Sequence, residues 1–281
     1  AQGFALGEIA AMTESVLKIT DAGGVRTLTL NRPDRKNALT PALGWGLVAA
    51  AEAAAKDDAV RVLVVTGGAP GQAFCSGADL ARPEAADDPN PQSPQDQHLD
   101  DIDWIGQFLL AFRLRCDKPV LAAVNGVAVG AGVALALCAD LRIAAASAAL
   151  HPGYIRAGTS PDGGLSWTLP TLLGHEAALR FLWDPRMVPA EEACARGLVG
   201  EVVADDAFAD AVAAKAAALA ALAPIGARQT KRLVVRASLG AELESHLRDE
   251  LAYVRRGLAS EDGREAVRAI FEKRTPDFKG R

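Results

Sequence analysis

The decapeptide GTSPDGGLSW, residues 158–167, sets a single carboxylate, Asp162, between a proline and two glycines. An acid on so tight a turn has two uses. It can accept hydrogen bonds from the free N–H groups of a helix starting near Gly164, as Asp often does at a helix entry. Alternatively it can take up and return a proton beside a bound substrate. Two glycine-containing turns, FCSGADL at 74–80 and NGVAVGAGVAL at 125–135, each follow an apolar run. Where such a turn opens a helix, the first backbone N–H groups lack internal partners. Two of them converging on one point would stabilise a carbonyl oxygen that becomes negative during a reaction. Neither turn has the glycine spacing of a dinucleotide fingerprint, and neither carries the Lys-Ser/Thr pair of a nucleotide-phosphate loop.

The elements that must position these turns can be read from hydrophobic periodicity. SVLKIT and VRTLTL, separated by DAGG, read as a hairpin. PALGWGLVAAAEAAAKD reads as a helix capped by Thr40, with Pro41 in its first turn. RVLVVTGG, KPVLAAVNG and LRIAAAS are short runs of the kind buried in parallel sheets, and they alternate with helical IDWIGQFLLAFRLRC and GAGVALALCAD. That alternation predicts an α/β fold with right-handed crossovers. From Gly174 onward the pattern is helical: HEAALRFLW, PAEEACARGL, AFADAVAAKAAALAALA, PIGARQTKRLVVRA and two further segments to Lys273, with VGEVV as a short strand. Residues 81–101, rich in Pro, Asp and Gln, predict a mobile loop, either a plain insertion or a lid over a pocket.

With 281 residues, half of them apolar and 23% charged, the chain can bury a sizeable core. A formal net charge of −5 argues against a nucleic-acid partner, although RQTKRLVVR is a local basic cluster. No apolar run reaches the roughly 18 residues of a membrane span. The first fifteen residues lack a basic start followed by an apolar stretch, so they read as an unstructured arm and the expected location is cytoplasmic. Cys75, Cys116, Cys138 and Cys194 lie far apart and are expected as buried free thiols; the four histidines are equally scattered, and no zinc site is expected. His151 and Asp162 stand eleven positions apart, with Pro152 and Gly153 between them, a spacing that promises no pair.

Taken in order, LNRPDRKNAL, VVTGG, AFCSGADL, KPVLAAVNGVAVGAGVALALCADLRIAA, GTSPDGGLSWTLPTLLG, ARGLVGEVV and FEKRTPDFKG resemble the crotonase (enoyl-CoA hydratase/isomerase) superfamily, in register over about residues 16–280. The resemblance implies a crotonase-like spiral of ββα units at 16–205 and a helical region at 206–281 that builds a homotrimer, often paired into a hexamer. It implies an acyl-CoA thioester as substrate, with the thioester carbonyl held by the backbone N–H groups of Ala78 and Ala131. It places the adenosine end of coenzyme A at Lys36, Ala38, Asp79 and Leu80, and it lets Lys273 reach a coenzyme A phosphate from a neighbouring subunit. No separate cofactor or metal is implied, because coenzyme A enters as part of the substrate.

The sequence departs from the family's hydratases at both of their glutamates, where it carries Ala134 and Tyr154. Alanine has no titratable group and a phenol titrates near about 10, so neither replaces a carboxylate that activates water. Asp162 lies where dienoyl-CoA isomerases, epoxyphenylacetyl-CoA isomerases and halobenzoyl-CoA dehalogenases also carry an acid. The resemblance therefore implies an isomerase of double bonds or ring epoxides that works with this one aspartate, with Trp167 and Phe108 either lining the acyl pocket or filling core. The alternatives are a hydratase with an atypical site, an acyl-CoA hydrolase or dehalogenase, and a non-catalytic CoA- or RNA-binding protein on the same scaffold. The dehalogenase reading needs a histidine where Gln107 stands.

Overall fold

The computed structural model describes residues 16–81 and 102–281. The arm expected at 1–15 and the loop expected at 81–101, Ala81 excepted, lie outside the described residues. The chain runs through β1 (Leu17–Ala22), β2 (Val25–Leu30), α1 (Pro41–Lys56) and β3 (Val62–Thr66), then α2 (Asp103–Leu110), β4 (Val120–Val124), β5 (Ala128–Val129) and α3 (Ala131–Cys138). Next come β6 (Leu141–Ala145), β7 (Ala149–His151), α4 (Leu165–Leu173), α5 (His175–Leu182), β8 (Val188–Pro189), α6 (Ala190–Ala195) and β9 (Glu201–Val203). Four helices close the chain: α7 (Phe208–Ala220), α8 (Pro224–Ser238), α9 (Leu243–Ala259) and α10 (Glu261–Glu272).

The main sheet has the order β1-β2-β3-β4-β6-β9, parallel throughout except for the β1–β2 hairpin. The central strands β3 and β4 are apolar at every position but Thr66 because both faces are covered, and the two-residue period divides their side chains between two cores. Leu63, Val65, Val120, Ala122 and Val124 join the large core with α1, α2 and α3. Val62, Val64, Leu121 and Ala123 face the other way, onto Phe208, Ala216 and Ala220 of α7. The α1 entry follows its sequence signal, with the Thr40 hydroxyl accepting the Leu43 N–H and Pro41 opening the helix. Every residue of α3 is buried. An apolar helix with no polar face belongs at the centre of the core.

A second sheet, β5-β7-β8, has no counterpart in the sequence reading. Its strands are two or three residues long, too short to show a period, and it draws the 125–135 turn toward the loop that precedes Asp162. PAEEACARGL accordingly begins as a strand and is helical only over Ala190–Ala195. The 102–116 helix changes to a π-helical turn at Ala111–Arg115. At the C-terminal end the cations of the basic cluster are paired within the chain. Arg228 and Arg232 both pair with Asp117, Lys231 pairs with Asp140, and Arg236 pairs with Asp249. All four cysteines are free thiols, and all but Cys194 are buried. No single described helix is long and apolar enough to cross a membrane.

Candidate active site

The two glycine turns are stitched together by backbone bonds. The Cys75 N–H donates to Val127 O at 3.1 Å and the Val129 N–H to Cys75 O at 2.9 Å, a bridge between Cys75 and Ala128. Gly132 packs so closely behind this bridge that a Cβ there would stand 2.2 Å from the Cys75 carbonyl oxygen. On the other side, Leu39 donates to Gly77 O at 2.7 Å and Asp79 donates to Leu39 O at 2.9 Å. In extended backbone alternate N–H groups point to opposite edges, so this pairing turns the Ala78 N–H away from Leu39. Ala131 is the first residue of α3, where a helix leaves its N–H groups free. Among the described residues neither the Ala78 nor the Ala131 N–H has a hydrogen-bond partner. The turns are also adjacent: Ala131 N lies 3.7 Å from where a Cβ of Gly77 would be. The geometry thus offers two neighbouring unsatisfied donors, the requirement for holding an oxyanion.

The third loop brings the acid to this corner. Gly163 and Gly164 both have positive φ, +57° and +78°. This conformation lets the chain turn against α2 and α3: a Cβ on Gly163 would stand 2.6 Å from Ala134 Cβ and 3.3 Å from the Phe108 ring. Gly164 is the N-cap of α4, and no side chain caps that helix. The helix-capping reading of Asp162 therefore fails; its backbone carbonyl accepts the Leu165 N–H, and its carboxylate is left for other work. That carboxylate accepts a 2.6 Å hydrogen bond from the phenol of the buried Tyr154. Asp162 keeps an exposed side. Packing on the other side desolvates it and raises its pKa above the ordinary carboxylate value, while the Tyr154 hydrogen bond pulls the other way. Burial and the neighbouring carboxylate push the Tyr154 phenol up, so it stays a neutral donor.

The remaining candidates divide. Asp79 forms a 2.8 Å ion pair with Arg32, and Arg32 also donates to Ala38 O. Lys36 is exposed in the left-handed conformation, and its carbonyl accepts the Ser76 N–H at 3.0 Å. Leu80 is almost wholly exposed. Beside the Ala78 turn, Lys36 and Leu80 therefore lie at the surface, whereas Ala38 is buried and the Asp79 carboxylate is turned onto Arg32. Lys273 ends α10, with no hydrogen bond or ion pair to any of them among the described residues. His151 does not join Asp162, since its Nε2 lies 3.2 Å from Pro185 O. Phe108 is core, whereas Trp167 is exposed, with the Arg113 guanidinium over its ring, 5.7 Å from the ring centre. Gln107 turns to the surface, where it accepts from Arg115.

Sequence reasoning missed two buried asparagines that set the turns. The Asn37 amide donates to Gly67 O and Ala73 O, at 3.0 and 2.9 Å. Asn125 accepts the Gly67 N–H at 2.8 Å and donates to Ala69 O and Gln72 O. A polar residue at the end of an apolar run, as in AAVNG, was the available signal. A buried amide is retained where it satisfies backbone groups that would otherwise lie unpaired.

A spiral sheet whose two glycine turns aim free backbone donors at one corner, closed by a helical C-terminal region, is the crotonase fold. The chain belongs to the enoyl-CoA hydratase/isomerase family, whose profile matches residues 20–281. It is 34% identical to the 1,2-epoxyphenylacetyl-CoA isomerase of Escherichia coli over 270 residues, covering 96% of this chain and 100% of that protein. It is 35% identical to the 2,3-dehydroadipyl-CoA hydratase of the same organism, covering 92% and 96%. The crystal structure of enoyl-CoA hydratase from Bacillus anthracis superposes with a TM-score of 0.84 at 30% identity, covering 95% of this chain and all of that one. The family acts on acyl-CoA thioesters, and its members bear both hydratase and isomerase names.

Proposed function

We propose that this protein is an enoyl-CoA isomerase with Asp162 as its single proton carrier. The observation that carries the reading is the composition of the corner beside the Ala78 and Ala131 turns, where Asp162 is the carboxylate among the described residues and the two hydratase glutamate positions hold Ala134 and Tyr154. Ala134 Cβ abuts Gly163, and Tyr154 is occupied with Asp162. A water there would lack the pair of carboxylates that orients and deprotonates it. Proton transfer along the acyl chain needs only one base.

In this reading the Asp162 carboxylate removes a proton from C2 of a 3-enoyl-CoA, forming O–H as C–H breaks. The electron pair delocalises onto the thioester oxygen, and the Ala78 and Ala131 N–H groups stabilise the dienolate; each such donor typically contributes about 100- to 1,000-fold. Asp162 then returns the proton at C4, leaving the conjugated 2-enoyl-CoA and the carboxylate restored. Coenzyme A enters only with the substrate, its adenosine end along Lys36, Ala38, Asp79 and Leu80, with Lys273 supplied by a neighbouring subunit. A second reading, isomerisation of a ring epoxide by the same acid, is favoured by the full-length likeness to the 1,2-epoxyphenylacetyl-CoA isomerase. The assembly proposed is a homotrimer or a pair of trimers. Leu243, Leu247, Leu251, Val254 and Leu258 form an exposed stripe at helical spacing on α9, which buries no residue within its own chain. Light scattering in solution tests it.

The decisive experiment follows conjugation of 3-enoyl-CoA by ultraviolet absorbance. Wild type should turn over and Asp162→Asn should lose about 100- to 10,000-fold, the usual contribution of a general base. Coenzyme A affinity should persist in the variant. Hydration of crotonyl-CoA at a rate typical of a two-glutamate enzyme would overturn the assignment.

A further inference from the structure

Tyr154 stands where three pieces of the site meet. Its backbone carbonyl accepts the Ala157 and Thr159 N–H groups, at 3.0 and 3.1 Å, and fixes the start of the third loop. Its ring lies beside Gly130, which caps α3: Cζ is 3.9 Å from where a Cβ of Gly130 would be. Its hydroxyl donates to Asp162 Oδ1 at 2.6 Å. The phenol therefore spans the space between the turn that presents the Ala131 N–H and the carboxylate opposite. We propose that Tyr154 is a positioning residue: it holds Asp162 Oδ1 so that Oδ2 is the oxygen offered to the acyl chain, and it favours return of the carboxylate to its charged form after each proton transfer.

The inference rests on Asp162 being the proton carrier. A hydrogen bond donated to a carboxylate stabilises the charged form more than the protonated one. It thereby offsets the desolvation that burial imposes and drives the second half of the reaction, in which Asp162 gives its proton back. Tyr154 keeps its own proton throughout. Among the described residues, the other groups packed around the pair are neutral or engaged elsewhere. From the 74–80 turn comes the Cys75 thiol, which burial pushes up to about 12 and so keeps protonated. From β7 comes His151, held at Pro185 O. From α2 and α3 come Ile105, Phe108 and Ala134, which carry no charge.

Three measurements test the proposal on the full-length enzyme. Tyr154→Phe should move the acidic limb of kcat/KM upward by about one pH unit and lower kcat about tenfold, the scale of a lost hydrogen bond to a charged group. Its coenzyme A affinity should stay within about twofold of wild type. The chain has two tyrosines, Tyr154 and Tyr253, and Tyr253 lies on α9. Labelling with 3-fluorotyrosine therefore gives two fluorine resonances. One should titrate with the midpoint of the acidic limb and lose that titration in Asp162→Asn, which also assigns it to Tyr154. The proposal is overturned if neither resonance does so, or if Tyr154→Phe keeps the wild-type limb and kcat while Asp162→Asn is inactive. Full activity in Asp162→Asn would remove the proton-carrier reading itself, and the positioning role with it. Should Tyr154→Phe fail to fold, the fluorine titration decides alone.

Discussion

Asp79 and Asp162 each follow a backbone turn at the same corner of the molecule, yet their surroundings push them in opposite directions. Asp79 is pinned: the Arg32 guanidinium bonded to it at 2.8 Å holds its carboxyl below the usual range. Among the described residues Asp162 has no cation paired with it; desolvation raises its pKa, and a neutral phenol is its side-chain partner. A carboxylate paired with arginine is held in its charged state and serves as a brace. One raised by burial, open on one side and hydrogen-bonded to a neutral donor, holds a proton more readily than a free carboxylate does. The same contrast separates the regions around them. The Asp79 side is built from main chain, glycine and buried amides, whereas the Asp162 side depends on two side chains. Damage to the first should cost stability, and damage to the second should cost turnover.

The largest effect on stability is expected at Gly132. A methyl group there would meet the Cys75 carbonyl oxygen at 2.2 Å, and that oxygen is backbone fixed by the Val129 N–H. Gly132→Ala should therefore destabilise by about 3 kcal/mol or more, as rigid overpacking does. Denaturant unfolding checks this; a change below about 0.5 kcal/mol, the range of an inert surface substitution, would mean the braced region yields easily.

Next in size is Ala134→Glu, which asks whether hydration can be restored by supplying one missing carboxylate. Ala134 Cβ already touches the Gly163 backbone. The longer side chain must displace the Asp162 loop or bury an unpaired charge, at a cost of about 2–4 kcal/mol. Crotonyl-CoA hydration should remain slow and isomerisation should fall. A gain of hydration without loss of stability would show that the wall between α3 and the loop is soft.

A smaller loss is expected for Asp79→Asn, about 1–2 kcal/mol at neutral pH, because the Arg32 guanidinium keeps its bond to Ala38 O. The sign against pH follows from the lowered pKa of Asp79. Its stabilisation is present above the unfolded value of about 3.9 and is lost as pH falls through the lower folded value. The difference between wild type and variant should therefore narrow in acid.

How much of this contrast could be read from the chain depends on sequence distance. The apolar runs of β3 and β4, the Thr40 cap and the glycines of both turns act within a few residues, and their patterns are local. Asp162 was legible as an acid on a turn, but PDGG suits a helix cap as well as a proton carrier. The position of Gly164 as N-cap, with a left-handed φ, bears on the first of these alone: it takes the cap away from Asp162. The Arg32–Asp79 pair spans 47 residues, and the Tyr154–Asp162 pair is joined through a 3-10 turn that follows no helical or strand period. The small sheet that draws the loop toward the 125–135 turn has strands too short to carry a pattern.

The smallest effect on stability, and the most discriminating, is that of Asp162→Asn. Because the folded pKa of Asp162 is raised, the folded protein binds this proton more tightly than the unfolded chain does. The residue therefore adds nothing unfavourable below the unfolded value of about 3.9, and it begins to oppose folding as pH rises through the window up to its folded value. Asparagine does not titrate, and its amide oxygen can still accept the Tyr154 hydroxyl. The variant should match wild type in acid and equal or slightly exceed it at neutral pH, while isomerase activity is lost. Thermal unfolding of both proteins across that pH range gives the answer. If Asp162→Asn is instead clearly less stable at neutral pH, Asp162 is a brace like Asp79, and the division of the site into a pinned and a poised side collapses.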